Sequence, residues 1–216
     1  MRIALVCSAH GFGHVGRQLA LGRALQRRGA TVSVFTAAPP SLVTETLPTA
    51  QVVPWIVDVG ISQIDSLKED VTGTVALLER RCHDVAIDRL AEALRPFDGA
   101  VVDIAAAGLE AARRAEVPTL GVGNFDWAWI YQHYPELAEW AERFASWQAP
   151  HLGLSIAPGP GLQGFASIEA FGPLGRRAPA HKLPDNSVLV SFGGFGLDRL
   201  GTLLPRIPSV TWVVAV

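Results

Sequence analysis

Short apolar runs alternate along this chain with longer stretches whose apolar residues recur every three or four positions. The first run, Ile3 to Cys7, is apolar throughout and predicts a strand buried on both faces. Over residues 15–28, Val15, Leu19, Leu21, Gly22 and Leu25 fall on one stripe, with Arg17, Arg23 and Arg27 mostly outside it. That spacing predicts a helix, with Gly29 as its C-terminal cap. Thr31 to Thr36 reads as a second strand, so the unit is β–α–β and its strands are parallel. Pro39-Pro40 then break the chain before a short helix around Ser41 to Leu47, and Gln51 to Trp55 reads as a third strand.

Residues 56–68 carry no clear period and are expected to form a loop. Val71, Val75, Leu78, Cys82 and Val85 predict one long helix reaching about Arg95, weakened by Gly73 and ended by Pro96. Strand, helix and strand follow at Ala100 to Asp103, Ala105 to Ala115 and Pro118 to Val122. An aromatic segment, Asn124 to Tyr131, leads into amphipathic helix as far as about Trp147, and two short strands are expected at Leu152 to Ile156 and Ile168 to Phe171.

This alternation predicts an α/β fold: a Rossmann-like parallel sheet over residues 1–172. Residues 173–186 hold three prolines and three basic residues with little to bury, and read as a linker. The pattern then restarts over 187–216: strand Ser187 to Phe192, turn Gly193 to Gly196, helix Leu197 to Leu204, strand Val210 to Val216. Such a start of a second Rossmann-like domain cannot cover both faces of its own sheet, so the chain is expected to be a fragment.

Composition narrows the function classes. Of the 216 residues 49% are hydrophobic, as in a well-cored globular protein, and a net charge of −2 argues against a nucleic-acid surface. No apolar run is long enough to span a membrane and no signal peptide is evident, so a cytoplasmic protein is expected. Two isolated cysteines, Cys7 and Cys82, fit a reducing compartment, and no metal-ligand spacing occurs.

Candidate chemistry gathers at the turn after the first strand. Gly11-Phe-Gly-His-Val-Gly16 matches G-x-G-x-x-G, but the second strand ends Phe35-Thr-Ala-Ala38 without the acid that binds a ribose. NAD(P) binding is therefore the weaker alternative. His14 is expected at the N-terminus of the first helix, above the carboxyl ends of the strands, where the helix dipole favours a neutral imidazole. Asp103 ends the fourth strand, which neighbours the first in a sheet ordered 3-2-1-4-5. The pair would then meet, with the carboxylate orienting a histidine base. Against this, His14 could simply bond a backbone carbonyl, and Asp103 could cap the helix at Ala105. His10, Gly11 and Gly13 would line the ligand. Asn124 and Asp126 could bind hydroxyls, and Trp127 could stack on a sugar, although aromatics there more often pack between helix and sheet. Gly193, Gly194 and Gly196 could hold a diphosphate through backbone N–H groups, or form a plain turn.

Ser8-Ala-His-Gly-Phe-Gly-His14 followed by an Arg-containing helix resembles the N-terminal domain of GT-B-fold glycosyltransferases. It is most similar to the transferase-like N-terminal region of plant L-arabinokinases and related bacterial proteins. Val102-Asp103 before an Ala-rich helix, and Pro118 to Trp127, carry the same likeness, which runs to about residue 195. The resemblance implies hexosyl transfer from a nucleotide-sugar to the hydroxyl of a small-molecule or lipid-linked acceptor, with no metal or further cofactor. His14 would be the base and Asp103 its support. The donor would be gripped mainly by a C-terminal domain of which only the start, with Gly193 to Gly196, lies in this chain. Because the transferase-like part of L-arabinokinases is fused to a kinase, a noncatalytic sugar- or nucleotide-binding module is the alternative.

Overall fold

The computed structural model describes residues 1–65, 68–157, 159, 161–162, 164–175, 184–191 and 204–215. Its centre is a seven-stranded sheet of β1 (Arg2–Cys7), β2 (Thr31–Thr36), β3 (Gln51–Pro54), β6 (Gly99–Asp103), β7 (Thr119–Gly123), β8 (Leu152–Ser155) and β9 (Ser167–Ala170). The order is β3-β2-β1-β6-β7-β8-β9 and every pair is parallel. Adjacent strands that are far apart in sequence, β1 and β6, place Cys7 opposite Asp103. This is the topological switch point, where the chain reverses its direction of winding and a crevice opens at the carboxyl ends.

Burial on β1 alternates between the two faces, as a strand's period of two requires. Ile3, Leu5 and Cys7 pack with Val15 and Leu19 of α1 (Phe12–Gln26) and with Val43 of α2 (Pro40–Thr44). Ala4 and Val6 face the opposite layer, built from α3 (Val71–Arg81), α4 (Asp84–Leu94), α5 (Ala106–Arg114), α6 (Trp127–Tyr131) and α7 (Ala138–Gln148). Close approach of α5 depends on Gly108: a Cβ there would lie 2.9 Å from Val6 Cγ1. α4 and α5 are tied by Arg114, which reaches Asp84 and Asp88 at 2.8 Å each and Glu110 at 2.9 Å.

Several elements differ from the sequence expectation. α1 begins at Phe12 rather than near Val15, because Gly11 (φ 102) turns the chain sharply and the helix tolerates Gly13 and Gly16 in its first turns. The long helix expected up to Arg95 is two helices. The apolar spacing runs on across Cys82 and His83, but His83 leaves the helical conformation and its Nδ1 accepts the Ala86 N–H at 3.3 Å as a new N-cap. The helix from the aromatic segment is likewise divided by a 3₁₀ turn at Pro135–Leu137. Within 56–68, β4 (Gln63–Asp65) and β5 (Lys68–Glu69) form a small antiparallel pair.

β10 (Ser187–Ser191) and β11 (Thr211–Ala215) form a separate two-stranded parallel sheet. The central part of the expected linker, residues 176–183, and the helix expected at 197–204 fall wholly or almost wholly outside the described residues, as do Gly193, Gly194 and Gly196. Among the described residues no helix is long and apolar enough to cross a membrane. Both cysteines are buried free thiols, pushed by burial up to about 12, so neither is a ready nucleophile.

Candidate functional site

Two backbone features aim side chains into the crevice. α1 starts immediately after the Gly11 turn, which puts His14 in its first turn and 8% exposed. After β6, Ile104 takes a left-handed conformation (φ 48), costly for a β-branched residue by about 1–3 kcal/mol. That kink starts α5 without help from Asp103: the N-cap is Ala105, and no side chain caps the helix. The Asp103 carboxylate is instead turned to α1.

There it meets three side chains. His14 Nδ1 lies 2.8 Å from Asp103 Oδ1. Arg17, one helical turn after His14, grips both carboxylate oxygens through Nε and a terminal nitrogen, and its other terminal nitrogen donates to Asn124 Oδ1 at 3.1 Å. Gln18 Nε2 approaches Asp103 Oδ2 at 3.4 Å. Asp103 is 0% exposed, so an ionised carboxylate there requires such partners.

The terminal nitrogen of Arg17 that grips Oδ1 also lies 2.7 Å from His14 Nδ1. A guanidinium nitrogen only donates, so Nδ1 cannot both accept from Arg17 and donate to Asp103. We assign the proton to Nδ1. Arg17 then remains satisfied by Asp103, whereas an unprotonated Nδ1 would set its lone pair against a carboxylate oxygen. Nε2 is left as the basic nitrogen of the imidazole.

A second buried carboxylate, Asp58, comes from the segment for which no element was expected. It is 9% exposed and accepts Trp127 Nε1–H at 2.9 Å, with the Ser8 hydroxyl as a further partner. Burial raises its pKa; the hydrogen bonds from Ser8 and Trp127, and the nearby His14 and His10, only partly oppose this. His10 lies beside it, its ring 5.2 Å edge-on from Trp127 and packed onto Gly60, where a Cβ would fall 2.5 Å from Nδ1. Burial lowers its pKa, Asp58 partly restores it, and His14 adds to the lowering.

The other sequence candidates divide. Asn124 is exposed and joined to the cluster through Arg17. Gly13 is exposed and Gly11 partly so, and a Cβ at either would meet nothing within 4 Å, so the start of α1 is open to an approaching molecule. Asp126 is 0% exposed and spends its carboxylate capping α6 through the Trp129 N–H at 2.7 Å, which places it in the framework rather than against a ligand. Trp127 is 3% exposed, stacked on Tyr131 at 5.8 Å, and is a wall rather than an open platform. Tyr131 in turn donates its hydroxyl to Gly60 carbonyl at 2.7 Å, fastening the 57–61 segment over the crevice. Arg17, Asp58 and Ser8 were not among the candidates. Arg17 was detectable as the residue one turn from His14 on the same helix face; Asp58 was detectable as an acid set between two valines.

No family model matches the chain. Over 156 residues, 67% of its length, it is 30% identical to L-arabinokinase of Arabidopsis thaliana, and it spans only 15% of that protein. Its structure superposes on the glycotransferase of kitacinnamycin with a TM-score of 0.62 at 20% identity, over 99% of this chain and 65% of the other. It also superposes on the glycosyltransferase SnogD from Streptomyces nogalater (0.53, 17%, all of this chain and 72% of the other). Arabidopsis thaliana UGT89C1 complexed with UDP-L-rhamnose gives 0.55 at 13%, over 98% and 68%. The fold is that of the GT-B glycosyltransferases. His14 and Asp103 stand at the switch point of its sheet.

Proposed function

We propose that the chain is the acceptor-side part of a glycosyltransferase that moves a hexosyl group from a nucleotide-sugar to an acceptor hydroxyl. The observation that carries this is the 2.8 Å approach of His14 Nδ1 to Asp103 Oδ1 in the first turn of α1. With the proton on Nδ1, Nε2 takes the acceptor's hydroxyl proton as the oxygen attacks the anomeric carbon. Asp103 holds the ring in that tautomer and offsets the positive charge it gains. The bond to the leaving nucleotide diphosphate breaks as the new glycosidic bond forms, so charge passes from the hydroxyl proton to His14 and from the sugar to the diphosphate. The open first turn of α1 adds backbone N–H groups and a positive dipole end where negative charge collects.

A nucleotide-sugar donor is supported by the fold neighbour solved with UDP-L-rhamnose. Its grip would come from residues beyond the N-terminal sheet, in the domain proposed to begin at residue 187 and including Gly193, Gly194 and Gly196. The test is turnover in a chain carrying a full C-terminal domain. His14→Ala should lower it by roughly 10²–10⁴-fold, the usual worth of a general base. Unchanged turnover removes His14 from the chemistry.

One observation favours the noncatalytic alternative. Arg17 already neutralises Asp103, and a guanidinium 2.7 Å from the imidazole opposes the positive charge a base must acquire. A sugar- or nucleotide-binding module would show saturable ligand binding with no transfer even when the C-terminal domain is present.

A further inference from the structure

Where the carboxyl ends of β2 and β3 meet the junction of α3 and α4, the surface opens into a cavity of about 610 Å³. One wall is Pro54, Trp55 and Ile56; the other carries Arg80, Arg81, His83 and Arg89. The break at His83 creates this arrangement. It ends α3 with two arginines and restarts the chain as α4, so that His83, Ala86 and Arg89, three residues apart, share one face.

Among the described residues no acid lines the cavity. The acids of α4 are paired with other arginines: Asp84 and Asp88 with Arg114 at 2.8 Å each, and Glu92 with Arg95 at 3.1 Å. Arg80, Arg81 and Arg89 have no ion-pair or hydrogen-bond partner among the described residues. Three guanidiniums collected without a counter-charge, in a protein whose net charge is −2, repel one another and are held together only by the helix junction. An oxyanion relieves that repulsion, and the planar donor fork of arginine matches a carboxylate or phosphate. The facing Pro54–Ile56 wall offers apolar and aromatic surface for the rest of a ligand. The volume is that of a small-molecule site, and the basic surface is too local for a nucleic acid. Ile56 is two residues from Asp58, so one segment walls this cavity and continues into the crevice of His10 and His14.

We infer that this cavity binds a small molecule carrying a carboxylate or phosphate on an apolar, ring-bearing body. The further statement that this molecule is the acceptor rests on the transferase proposal above. Calorimetric titration of the chain with phenyl phosphate, benzoate and phenol tests the site directly. At least one of the two anions should bind saturably and more weakly as salt rises, their ranking identifies the anionic group, and phenol should not bind. The combined Arg80→Gln, Arg81→Gln, Arg89→Gln variant should weaken binding by roughly tenfold or more, and the matching three lysine substitutions should retain most of it. His14→Ala should bind as the parent does, which separates this site from the transferase chemistry. Absence of saturable binding by both anions, or equal binding by the glutamine variant, overturns the inference. Anion binding in a complete chain that never transfers a sugar would keep the site but remove its acceptor role.

Discussion

Two carboxylates stand at the carboxyl end of the same sheet, and their surroundings give them opposite tasks. Asp103 is 0% exposed and its carboxylate is gripped by a guanidinium and an imidazole. Asp58 is nearly as buried but meets the Trp127 N–H and the Ser8 hydroxyl, which carry no charge, and burial dominates. The first is built to hold a histidine in line. The second is built to hold on to a proton. Burial alone therefore does not set an acid's role; the charge of the groups facing it does.

The largest expected effect comes from removing the first of these carboxylates. Asp103→Ala leaves the Arg17 guanidinium in a site where its side chain is only 10% exposed, and should cost about 3–5 kcal/mol in urea unfolding. A loss below about 1 kcal/mol, as for a surface ion pair, would mean the pair is far more hydrated than its burial indicates. Trp127→Phe strikes the second acid more gently. It keeps an aromatic ring beside His10 but deletes the donor to Asp58, for an expected loss of about 1–3 kcal/mol. That loss should shrink in acid, where Asp58 is uncharged.

Asp58 and His10 should make stability depend on pH. Asp58 binds its proton more tightly when folded than its ordinary value of 3.8, so its contribution to stability is full below that value and declines as pH rises through the raised one. Urea midpoints of the parent and Asp58→Asn, compared across this window, should therefore diverge with rising pH, the variant gaining on the parent. His10 runs the other way: its lowered pKa means stability present above about 6.5 and lost as pH falls below it. A parent-to-variant difference independent of pH would show that Asp58 titrates alike in both states. Smallest is Glu110→Gln, at about 1 kcal/mol, because the buried Glu110 holds Arg113 and Arg114 by hydrogen bonds that an amide oxygen partly keeps. Burial alone would raise the Glu110 pKa, but those two guanidiniums outweigh it and lower it.

The sheet was legible because its strands are written as apolar runs separated by turn residues. The meeting of His14 and Asp103 across 89 positions followed once β1 and β6 were adjacent. Arg17 was misjudged because a helical wheel placed it on the polar side; that side faces Asp103, an acid contributed from elsewhere in the chain. Asp58 was missed because residues 56–62 have no period and are held by contacts with residues distant in sequence, Trp127 and Tyr131 among them. The His83 break escaped because apolar spacing continues across it, while the cap is made by a side chain that spacing does not record. Periodicity reports which residues face a core. It does not report which polar groups face each other.

The central claim is that the His14 proton sits on Nδ1 and is held by Asp103, leaving Nε2 basic. Nitrogen-15 NMR of the imidazole in the intact chain, near neutral pH, reads this directly. The expected spectrum shows Nδ1 protonated and Nε2 bare, with the Nδ1 proton losing its protection in Asp103→Asn. A ring protonated on Nε2, with Nδ1 accepting from Arg17, would contradict the account.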